Sequence, residues 1–171
     1  MKNLQKMGGI AALYEEAAYV FGMVLYIVVL NYSGIVEPAQ KVAFLVDNQV
    51  SLYILTLILY VVFGAFLVVL ALALYERLKP NSPAIMQVAT VFGLIWAGLL
   101  IASGMVHNIG LGTVVELSGK DLTQAATVWL ALEPVCNGLG GEHEILGGLW
   151  TLLVSWAALR AGGLPRVLNY L

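Results

Sequence analysis

From Pro80 to Val115 the chain carries no charged residue, and between Lys41 and Glu76 the one charge is Asp47. A helix on the surface of a soluble domain turns a polar face to water, and stretches like these have no such face. Crossing the hydrocarbon core of a bilayer takes about 20 apolar residues, and both runs exceed that. A helix also satisfies its own backbone hydrogen bonds, which lipid cannot do. The runs therefore predict membrane-spanning helices. Composition agrees: 61% of the residues are hydrophobic and 11% charged, where soluble domains carry roughly a quarter charged.

The net charge of −2 and the absence of any extended basic cluster exclude a nucleic-acid partner. Cys136, the one cysteine, cannot form an intrachain disulfide. Lys2 and Lys6 give the N-terminus the positive flank of a signal peptide, but Glu15 and Glu16 interrupt its hydrophobic region. The segment reads as the flank of a retained first span.

That first span is placed at Ala17 to Ile35, which leaves Glu15 and Glu16 at headgroup level and Tyr14 and Tyr32 near the two interfaces. The second runs from Val50 to Tyr75. The third opens at Asn81-Ser82-Pro83, with Ser82 as the capping side chain and Pro83 at the first helical position. It extends to Val106 and is ended by His107-Asn108-Ile109-Gly110. Asp121 and Gln124 form a capping box, so a helix starts there, but Glu133 and Pro134 follow too soon for a full span. The last span is Ile145 to Leu159, closed by Arg160.

The expected fold is an all-α membrane protein. It is a bundle of four transmembrane helices with a short interfacial or re-entrant helix around 121–138; five spans, with that segment crossing, are the alternative. With four, Lys2, Lys6, Arg77, Lys79, Arg160 and Arg166 share one side and only Lys41 and Lys120 lie opposite. The positive-inside rule favours that arrangement, with both termini cytoplasmic. Gly93, Gly98, Gly104, Gly147 and Gly148 allow close helix approach. No internal repeat or linker divides the chain, which is expected to form a single domain over 1–171.

Three stretches carry a resemblance. They are Leu-Gln-Lys-Met-Gly-Gly-Ile-Ala-Ala-Leu-Tyr-Glu at 4–15, Ala-Leu-Tyr-Glu-Arg-Leu-Lys at 73–79 and Ala-Ala-Leu-Arg-Ala-Gly-Gly-Leu-Pro-Arg at 157–166. The chain resembles an uncharacterised bacterial multi-pass membrane family, catalogued as a domain of unknown function. The resemblance implies a bacterial plasma-membrane location and no particular activity. It also implies further spans after the basic loop, so a shortened member is expected.

Polar groups inside a bilayer are costly and therefore informative. His107 and His143 are the two histidines. With four spans they lie on one side together with Glu133, Cys136, Glu142 and Glu144, a donor set suited to a metal ion, and two histidines from different helices also suit haem iron. Neighbours in Glu142-His143-Glu144 project about 100° apart on a helix, so the same residues also read as solvated helix ends. Glu15 and Glu16 read either as interface markers or as intramembrane carboxylates that bind a cation or relay protons. Five spans would regroup the residues 133–144 with Glu15 and Glu16 and leave out His107.

The reading adopted is an integral membrane protein that binds a small ligand or takes part in an assembly. Its expected partners are the lipid bilayer and either a second copy or another membrane protein. The first alternative is a metal or haem protein using His107 and His143. The second is a proton- or cation-coupled transporter using Glu15 or Glu16. A nucleophilic enzyme ranks last, because no Ser or Cys stands at a supporting spacing from a base and an acid.

Overall fold

A computed structural model of the protein describes residues 2–25, 34–141 and 145–162. Among these, every regular element is helical: α1 (Lys2–Val24), α2 (Pro38–Asp47), α3 (Gln49–Thr56), α4 (Phe63–Leu78), α5 (Pro83–Ser118), α6 (Leu122–Cys136) and α7 (Ile145–Ala161). Two widened π turns join them, Leu57–Val62 between α3 and α4, and Asn137–Gly141 after α6.

Among the described residues two helices are long and apolar enough to cross a membrane: Gln49–Leu78, of 30 residues, and Pro83–Ser118, of 36. Only 22% and 33% of their most apolar stretches are buried. A core helix of a soluble protein buries its apolar side chains; these helices leave most of theirs outward.

Helix boundaries follow local chemistry in some places and packing in others. Pro38 opens α2 after an extended Glu37, and Asn48 closes it by donating from Nδ2 to the Phe44 carbonyl at 2.9 Å. Asp121 caps α6 by accepting from the Gln124 amide at 3.0 Å, as the capping box predicts. Gly162, with φ of 62°, lies just beyond the end of α7, where only a residue without Cβ turns left-handed at little cost.

Three expectations need correction. α5 does not stop at His107-Asn108-Ile109-Gly110 but continues to Ser118. Leu111 and Val114 are fully buried there against Val42, Leu45, Leu52, Ala125 and Trp129, and that burial outweighs the roughly 1 kcal/mol that each interior glycine costs a helix. Ser82 does not cap α5, since its hydroxyl is buried with no hydrogen-bond partner. α6, by contrast, falls within the expected 121–138, running through Pro134 to Cys136 before giving way to the π turn. The first helix begins at Lys2, well before Ala17, because its opening turns pack: Gln5 donates to the Ala73 carbonyl at 2.8 Å, and Gly8 admits the Ala73 methyl.

The chain divides into two compact units, Met1–Glu15 with Gly64–Gly98 and Glu144–Leu171, and Glu16–Phe63 with Leu99–His143. In the first, α1 runs antiparallel to α4, with Gln5 at Ala73 and Tyr14 stacked on Phe66 at 4.4 Å. α5 and α7 also pair antiparallel there, through a reciprocal exchange. A Cβ on Gly93 would meet Trp150 Nε1 at 2.6 Å, and one on Gly147 would meet Trp96 at 2.7 Å. The two indoles lie 5.8 Å apart. Gly98 and Gly148 face nothing within 4 Å. In the second unit, α2 packs on α6, and the apolar cluster of Val42, Leu45, Leu52, Leu111, Val114, Ala125 and Trp129 forms its core.

Candidate functional site

In the second unit, α5 turns Ser103, Gly104, His107 and Asn108 to one side, a spacing that places them on adjacent turns of one helix face. Gly104 makes the approach possible, since a Cβ there would fall 2.7 Å from Tyr60 Cβ and 3.2 Å from a Val61 methyl. The helix opposite is in its π turn at this level, a geometry that recurs at functional sites.

His107 Nδ1 lies 3.2 Å from the Thr56 hydroxyl, which is completely buried. Which of the two donates depends on the imidazole tautomer. The imidazole meets the Trp129 indole edge to face, with centroids 5.3 Å apart. Asn108 donates from Nδ2 to the Tyr53 carbonyl at 3.3 Å. That bond fixes the amide orientation and leaves Oδ1, buried and with no hydrogen-bond partner, as an acceptor. Ser103 donates to the Cys136 carbonyl at 2.9 Å, at the C-terminus of α6.

Lys41 on α2 bonds both carboxylate oxygens of Glu133 on α6, at 2.8 and 3.0 Å. The two side chains are 18% and 19% exposed, so the pair is largely withdrawn from solvent. Of the residues expected to share a metal, His107 meets Thr56 and Glu133 meets Lys41, while the backbone carbonyl of Cys136 accepts from Ser103. Among the described residues no group of three or more His, Cys, Asp or Glu is placed to hold a metal ion. Glu142, His143 and Glu144 lie outside the described residues. Glu15 is partly buried, and its Oε1 has no hydrogen-bond partner; Glu16, beside it in α1, is exposed.

Thr56, Asn108 and Lys41 were not legible as site residues. Thr56 and Lys41 find partners 51 and 92 positions away, and no local spacing announces such pairs. Asn108 had a signal in its place beside His107 on an apolar helix, which marks a buried amide in need of partners.

Residues 17–171 match the model of a family described as a domain of unknown function, DUF4386. The opening stretch at 4–15 precedes the matched region. No curated protein and no solved structure matches the chain.

Proposed function

Because the chain belongs to the DUF4386 family, a domain of unknown function, we propose from its own residues that it is a multi-pass protein of the bacterial plasma membrane. In this reading it crosses four times with both termini cytoplasmic, and binds a small ligand or a membrane partner without covalent catalysis.

The distribution of charge over the two units carries this reading. Among the described residues, the first unit holds Lys2, Lys6, Arg77, Lys79 and Arg160 against Glu15 and Glu76. The second holds only Lys41 and Lys120 as cations, against six carboxylates from Glu16 to Glu133. Both of those lysines are engaged, Lys41 by Glu133 and Lys120 by Glu116. Basic residues stay on the cytoplasmic side of a membrane, so in this reading the helix ends that carry Lys2, Lys6, Arg77, Lys79 and Arg160 take that side. In this reading α1, the continuous Gln49–Leu78 helix, α5 and α7 make the four crossings, with α6 kept on the side of Lys41 by its bond to Glu133. On the same reading Glu15 and Glu16 fall well inside a crossing helix instead of at its edge, because α1 already engages Ala73 from Gln5.

Binding is assigned to the α5 face that carries His107 and Asn108, where polar side chains gather against the π turn of the neighbouring helix. A reporter that is active only in the cytoplasm, fused after Gly162, tests the topology. Activity supports four crossings, and silence of a stably inserted fusion supports five.

A further inference from the structure

At one end of the first unit, basic side chains gather without acidic partners. α1 runs antiparallel to α4 from the Gln5–Ala73 contact, so Lys2 and Lys6 lie beside the last turns of α4, where Arg77 is exposed. The turn at 79–82 folds the start of α5 back at the same end, with the Asn81 and Ser82 amides both bonded to the Leu78 carbonyl. α7 is antiparallel to α5 through the exchange of Trp150 for Gly93 and Trp96 for Gly147, which carries Arg160, in its last turn, to that end too. Lys2, Lys6, Arg77 and Arg160 form no ion pair with a described residue. Lys79, by contrast, is held by Glu76 at 2.6 Å, and that carboxylate keeps its ammonium above the usual lysine range.

Arg160 lies over the Trp156 ring at 5.1 Å, and Trp156 is 50% exposed. A guanidinium drawn over an indole by a cation–π contact still presents N–H donors in the fork that matches phosphate oxygens. Tryptophan itself settles where apolar tails meet headgroups.

We propose that this end holds the phosphate groups of anionic phospholipids, with Arg160 on Trp156 and Arg77 as the principal contacts and Lys2 and Lys6 adding to the local positive potential. The proposal rests on the membrane reading above. The second unit offers no equivalent, since both its lysines are engaged by carboxylates.

The test uses the full chain in vesicles of phosphatidylcholine, with and without phosphatidylglycerol, followed by thermal unfolding. Phosphatidylglycerol is expected to raise the unfolding temperature of the unaltered protein. The gain is expected to vanish in Arg77→Gln/Arg160→Gln and to persist in Lys120→Gln, with apparent lipid affinity falling roughly fivefold for each arginine removed. Should the double variant not fold, added salt must erode the gain in the unaltered protein. No gain, a gain indifferent to salt, an equal loss in Lys120→Gln, or an equal gain from inorganic phosphate in detergent would each overturn the proposal. Release of the protein from both vesicle types by alkaline carbonate would overturn the membrane reading with it, whereas retention in both without a lipid preference overturns the lipid site alone.

Discussion

Lys41 Nζ on α2 lies 2.8 Å from Glu133 Oε2 on α6, and this contact fastens the short helix α2 beside the apolar cluster that Val42 and Leu45 enter. A pair so far withdrawn from water is costly to break from one side, because the remaining charge keeps its desolvation penalty without its partner.

Glu133→Leu and Lys41→Met are therefore each expected to lower stability by about 2 kcal/mol, while the two together recover most of the loss. Denaturant unfolding of the four proteins in one detergent gives the coupling. Additive losses would show that the two side chains do not act together.

The Thr56–His107 contact predicts a smaller effect. Thr56→Val keeps the shape of a fully buried side chain and removes its hydroxyl, so a loss of about 1 kcal/mol is expected. His107→Ala also gives up the ring contact with Trp129 and is expected to cost more, with a change in tryptophan fluorescence. Stoichiometric metal in the purified protein, lost on His107→Ala, would instead assign the imidazole to a metal.

The glycine and tryptophan exchange makes a paired prediction on α7. Gly147→Ala puts a methyl where Trp96 sits and is expected to destabilise by about 1–3 kcal/mol. Gly148→Ala meets nothing within 4 Å and is expected to leave stability unchanged or raise it by under about 1 kcal/mol. Equal effects at the two positions would contradict the close α5–α7 approach.

The sequence made some of this legible and hid the rest for physical reasons. Charge spacing marks the apolar stretches that become the Gln49–Leu78 and Pro83–Ser118 helices, because the cost of a charge in an apolar setting is local and additive. Asp121 announces α6 for the same reason: a cap acts within one turn. Helix ends set by packing are not local. Nothing near Gly110 reveals that Leu111 and Val114 will be buried against Val42 and Trp129, and α2 itself, ten residues long with Lys41 in its middle, passes for a polar connection. The start of α1 depends likewise on Ala73. The site follows the same division. His107, Glu133 and Cys136 stand out by type, but their partners Thr56, Lys41 and Ser103 come from elements that only the fold brings near.

The central claim of the proposed topology is that the two ends of α5 lie on opposite sides of a membrane, and labelling of single cysteines on intact cells tests it most directly. In a Cys136→Ser background, Asn81→Cys and Gly119→Cys place a thiol in the turns that bound α5, both exposed. An impermeant maleimide is expected to label Gly119→Cys on intact cells and Asn81→Cys only after permeabilisation. The opposite pattern, or equal labelling of both without permeabilisation, would contradict the account.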